Sequence, residues 1–189
     1  MKDNREYRNL LNFEQKDNFI IEGYATTWEP YILYQDGDHV VYEQISKDAF
    51  KDADFSDCVL RVDHVGRVFA RKSNGTLSIT LDNKGMFVRA DLSKTQSARD
   101  LYEEIKAEML VKMSWAFSVS KEHYDAKTSI RHIDAVSKVW DASVVVNPQN
   151  SATSVSARSA FDGLIRPQIV EYEARTALVD EYMRKVANI

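Results

Sequence analysis

Residues 111–120 read VKMSWAFSVS, and their alternation decides the fold. Val111, Met113, Trp115, Phe117 and Val119 share one face by the two-residue period of a strand, and Lys112, Ser114, Ala116, Ser118 and Ser120 share the other. The first face suits a core; the second carries mostly small and polar groups. Downstream, residues 129–137 (SIRHIDAVS) and 139–146 (VWDASVVV) also read as strands. A polar turn around Asp125-Ala126-Lys127 pairs the first of these with residues 115–124. Upstream, Ser93-Lys94-Thr95-Gln96 resembles a capping box with Ser93 at the cap. Leu101, Ile105 and Met109 then follow at helical spacing, with Arg99 placed to pair with Glu103, which predicts a helix ending near Glu108. Short strands are expected at 58–64, 67–72, 76–82 and 86–92, with turns at Ser73-Asn74-Gly75 and Asp82-Asn83-Lys84-Gly85. Residues 40–50 read as a strand running into a short helix, and residues 5–13 and 19–26 as a hairpin. Many short strands with one mid-chain helix predict an α+β chain built on a mostly antiparallel β-barrel with surrounding helices. Beyond Arg158, Leu178, Tyr182 and Val186, flanked by Val179 and Met183, have helical spacing. This predicts a barrel domain over 1–158 and, over 159–189, a linker and an amphipathic C-terminal helix.

The chain has 189 residues, 44% hydrophobic and 29% charged, as expected of a globular domain able to build its own core. A net charge of −4 without a basic block argues against a nucleic-acid partner, because phosphate neutralisation needs clustered Lys and Arg. The single cysteine, Cys58, allows no internal disulfide and no CxxC metal site. No apolar run approaches the length of a membrane span, so no membrane partner is expected. The charged start, MKDNREYRNLL, lacks the apolar segment of a secretory signal, which points to action in the cytoplasm.

There is no GxGxxG, no GxxxxGK[ST], no HExxH and no GxSxG. The four histidines at 39, 64, 123 and 132 lack helical ligand spacing. Cys58 lies mid-strand among apolar neighbours, where a buried structural thiol is the ordinary case. Three residue types matter together. His64 closes a strand after Asp63; Ser114 sits on the small-residue face of its strand; Asp141 stands between Trp140 and the Val144–Val146 run. A serine hydroxyl needs a base to take its proton, imidazole suits that task, and a third group orients the imidazole. Each also has an ordinary explanation: a surface histidine near a turn, a solvated sheet face, an outward-facing aspartate. Asp134 and His132 are rival third members, although their neighbours suit a solvated hairpin. A metal-dependent hydrolase using His64 and nearby carboxylates is a further reading of the same residues.

At these residues the sequence resembles the tailed-phage prohead maturation proteases, a family related in fold to the herpesvirus assemblins. The matching segments are GYA at 23–25, ExIxxxAF at 43–50, DH at 63–64 with FAR at 69–71, KMSWAF at 112–117 and VWDASVVVNPQN at 139–150, in that order over roughly residues 5–158. The resemblance implies an assemblin-type barrel and a serine endopeptidase that needs no cofactor or metal. It implies His64 as general base, Ser114 as nucleophile and Asp141 as third member, with backbone N–H groups of the Asn147–Ser151 loop (Asn147, Gln149 and Asn150 among them) facing the oxyanion. It implies as substrates and partners a scaffold protein or scaffold segment, the major capsid protein and the protease itself, inside the immature prohead in the host cytoplasm, with a homo-oligomer as a further expectation. A non-catalytic assembly factor binding scaffold through the C-terminal helix is the alternative. The chain departs from the family at Asp48, Ala70 and Ala116, where glycine is common, and at Lys106-Ala107-Glu108. Ala116, on the Ser114 face, is expected to narrow the substrate groove.

Overall fold

The computed structural model describes residues 5–37, 39–145 and 161–187. Ten strands and two α-helices are found among them. In chain order the strands are β1 (Glu6–Lys16), β2 (Ile20–Thr27), β3 (Tyr31–Asp36), β4 (His39–Ile45), β5 (Val59–Val62), β6 (Val65–Arg71), β7 (Leu77–Leu81), β8 (Gly85–Asp91), β9 (Lys112–Asp125) and β10 (Ile130–Val145). The helices are α1 (Gln96–Lys106) and α2 (Arg166–Ala187), the latter entered through a π-turn at Phe161–Ile165.

The alternating segment 111–120 lies at the centre of the sheet, whose order is β3-β4-β10-β9-β1-β2-β8-β7. The two predicted strands 129–137 and 139–146 are one long strand, β10, paired antiparallel with β9 along its whole length. Irregularities near Ile133–Asp141 bend it, and the bend lets β10 serve two partners. Its first half pairs parallel with β4, and its second half pairs parallel with β5. Met113, Trp115 and Phe117 are buried in the main core with Leu60, Ala142 and Val144, and the Trp115 and Phe117 rings stack at 4.0 Å.

The fold is mixed α+β and strand-rich, but among the described residues no strand pairing closes the sheet into a barrel. The main path ends at β3 and β7, and β6 pairs only with β5. Helix α1 buries Ala98, Leu101, Tyr102 and Ile105 in the same core and packs against β6. The helix is capped by Thr95, whose hydroxyl accepts the Ala98 N–H at 3.1 Å, not by Ser93. Arg99 donates to the Ser93 carbonyl and to Gln96 instead of pairing with Glu103. The helix stops at Lys106, and Met109 is left exposed.

A second, smaller cluster joins Leu33, Tyr34, Val41 and Tyr124 to Ile165, with Ile169 packed against it. The entry to α2 is thus seated on β3, β4 and β9, while most of the helix is exposed.

Candidate active site

The main-chain register brings the small-residue face of β9 into line with β10. Ser143 lies opposite Ser114, and Asp141 opposite Ala116. On the other side of β9, Tyr7 of β1 lies opposite Ala116. Residues directly opposed across strands share a sheet face, so these side chains project together. The expectation of a solvated face does not hold. Ser114 and Ser143 are 0% exposed and Asp141 is 2% exposed. Ala116 is also fully buried, between Tyr7 and Asp141, so its methyl forms part of the packed floor rather than the wall of an open groove.

His64 comes from the β5–β6 hairpin. Val62 pairs with Val65, which leaves Asp63-His64 as a two-residue turn. Both turn residues have positive φ, 48° and 60°, as a tight hairpin of this length requires. Asp and His are among the few residues that accept this region, which explains the local sequence. The Asp63 N–H donates to the Val144 carbonyl at 3.0 Å, and the His64 N–H donates to Ser143 Oγ at 3.2 Å. These two bonds fix the turn over β10.

The imidazole then bridges two strands. His64 Nδ1 lies 2.6 Å from Asp141 Oδ1, and His64 Nε2 lies 2.6 Å from Ser114 Oγ. With Nδ1–H donating to the carboxylate, Nε2 is free to accept the serine proton. Ser143 Oγ also donates to Asp141 Oδ1 at 2.8 Å, so one carboxylate oxygen receives two hydrogen bonds. The Tyr7 ring meets the His64 ring edge-on, with centroids 4.6 Å apart.

Tyr7 and Ser143 were not singled out in the sequence. Ser143 had a signal, two residues after Asp141 on the same strand face. Tyr7 had none, because its contact depends on how β1 pairs with β9.

The other candidates lie apart. His123 and His132 stack at 4.7 Å on the far half of the β9–β10 hairpin, and Asp134 bonds His123 Nδ1 at 2.7 Å. Nine residues of strand separate His132 from Asp141, about 30 Å if straight. Cys58 is buried in the core; burial and then the Asp141 charge push its thiol up to about 12. Among the described residues no group of three His, Cys, Asp or Glu is placed to hold a metal ion. Asn147, Gln149 and Asn150 fall outside the described residues.

A serine, an imidazole and a carboxylate linked in series through two hydrogen bonds form the geometry of a serine hydrolase. A family model described as caudovirus prohead serine protease matches residues 8–163, a span that includes all three of these residues. The chain therefore belongs to the caudovirus prohead serine protease family and is a serine peptidase. No curated protein and no solved structure matches the chain.

Proposed function

We propose that the protein is a capsid-maturation endopeptidase that hydrolyses peptide bonds through an acyl-enzyme formed on Ser114. The observation that carries this reading is the His64 bridge, 2.6 Å to Ser114 Oγ and 2.6 Å to Asp141 Oδ1. His64 Nε2 takes the Ser114 proton as Oγ attacks the scissile carbonyl, and returns it to the leaving amine as the peptide bond breaks. Water then attacks the ester, giving its proton to Nε2, and Ser114 is restored with release of the carboxylate product. Asp141 holds the tautomer and stabilises the imidazolium in both steps. Backbone N–H groups of the segment after β10, from Asn147 to Ser151, are the expected oxyanion donors. Ser114 has no exposed surface, so substrate entry requires side chains over it to move.

The proposed substrates are the scaffold protein or scaffold segment and the capsid precursor, with the protease's own chain as a further target. The proposed setting is the immature prohead in the host cell. No helix among the described residues is long and apolar enough to cross a membrane. Incubation with the scaffold and capsid proteins of the same phage, followed by mass spectrometry of the products, tests the reading. Discrete cuts that vanish with Ser114→Ala are expected. Intact partners under conditions where the phage proteins assemble would refute it.

A further inference from the structure

We propose that Arg61 is a recognition residue, whose guanidinium receives an acidic side chain of the substrate peptide close to the scissile bond. This rests on the peptidase reading above and deepens it to a substrate class.

Arg61 lies on β5 directly opposite Ser143 of β10, and Ser143 lies opposite Ser114 of β9. The three positions form one row across the sheet and share its catalytic face. Two strand spacings put the Arg61 and Ser114 Cα atoms about 10 Å apart. An extended arginine together with one side chain of a bound peptide spans that gap. Leu60 and Val62, the neighbours of Arg61 on β5, turn into the main core, so Arg61 projects from the opposite face, on the side of the triad.

Arg61 is partly covered, and its Nε is buried without a hydrogen-bond partner. The guanidinium takes part in no ion pair among the described residues. Other arginines withdrawn from solvent are held. Arg8 and Arg131 are clamped by Glu6 and Glu43, Arg71 is paired with Asp57, and Arg99 donates to the Ser93 carbonyl. Asp141 is bonded to His64 and Ser143, and no ion pair among the described residues joins it to Arg61. A partly covered cation with no counter-ion among the described residues, beside a nucleophile that must receive an extended peptide, fits an anion carried by the substrate. The planar guanidinium fork matches a carboxylate in two hydrogen bonds. Such a contact distinguishes Glu or Asp from Gln or Asn by charge as well as shape.

The test is cleavage of a synthetic peptide library randomised on both sides of the cut, followed by kinetics on a matched Glu and Gln pair of the best substrate. Wild-type protein is expected to enrich Glu or Asp within three residues of the cut. The ratio of kcat/KM for the Glu peptide to that for the Gln peptide should be at least tenfold, carried mainly by KM. Arg61→Gln should bring that ratio close to one, Arg61→Lys should keep most of it, and Arg61→Glu should shift the preference to Lys or Arg. Cuts with no acidic preference, or an unchanged ratio in Arg61→Gln, would overturn the subsite while leaving the peptidase reading intact. A library left uncut by protein in which Ser114 also resists a fluorophosphonate would overturn both.

Discussion

His64 is held from three sides: its N–H on Ser143, Nδ1 on Asp141 and its ring against Tyr7. Asp141 is itself nearly inaccessible, so its charge acts on the imidazole through a low-dielectric medium, where the interaction exceeds its value in water. Replacing Asp141 by Asn keeps the shape but removes that charge and favours the wrong tautomer. We predict that Asp141→Asn lowers kcat by up to about 10⁴-fold, roughly 5 kcal/mol of barrier. Ser143→Ala, which loses one bond to the carboxylate and one to the turn, should cost about tenfold, or about 1.4 kcal/mol. His132→Ala and Asp134→Asn, on the far half of the hairpin, should each change kcat by less than tenfold. Steady-state kinetics on one peptide substrate checks all four, and a larger loss from His132→Ala than from Asp141→Asn would contradict the assignment. Sequence alone left Ser114 and Asp141 open to a solvated explanation, because alternation shows which side chains share a face but not what covers it. The cover here comes from the β5–β6 turn, contacts far away in the chain.

The strands of this sheet are tied together by a buried ionic network. Arg8 of β1 and Arg131 of β10 share Glu6 of β1 and Glu43 of β4, with Glu122 of β9 bonded to Arg131 and the Tyr31 hydroxyl of β3 donating to Glu43. Burial raises the Glu6 carboxyl, but hydrogen bonds from Arg131 and the charges of Arg8 and Arg131 outweigh it and lower the group to about 2. Glu43 is also lowered, by Arg8 and Arg131 acting against its burial. A carboxyl lowered on folding adds stability above its unfolded value near 4.5, and that stability is lost as pH falls toward 2. Urea midpoints should therefore decline between pH 5 and pH 2, and Glu6→Gln should flatten that decline while lowering the midpoint at pH 7. Equal slopes in the two proteins would contradict the assignment. Removing Glu43 as Glu43→Gln leaves two buried cations short of a partner and should cost about 3–5 kcal/mol. Most strands were legible from period and turn chemistry. The β3 strand was not, because Tyr31–Asp36 lacks clean alternation. The division of 129–146 into two strands missed that bulges let one strand bend. The barrel remained an expectation because periodicity does not show whether edges meet.

At the scale of the whole molecule, the entry to α2 is anchored while its length is exposed. Ile165 is fully buried against Leu33, Tyr34, Val41 and Tyr124, a contact worth about 1.5–3 kcal/mol for a side chain of its size. Truncation after Arg158, which removes α2 and its entry from the proposed strand-rich domain, should leave a folded protein with a lower melting temperature. Ile165→Asp in the full chain should lower it comparably, and calorimetry showing no change in either would place Ile165 outside the core. The central claim is that Ser114 is a nucleophile activated by His64. Labelling with a fluorophosphonate, followed by peptide mapping, tests it most directly. The account predicts one adduct, on Ser114, that is lost in His64→Ala protein retaining the wild-type circular dichroism spectrum. Modification of Ser118 or Ser143 in place of Ser114, or labelling of Ser114 that survives His64→Ala undiminished, would contradict it.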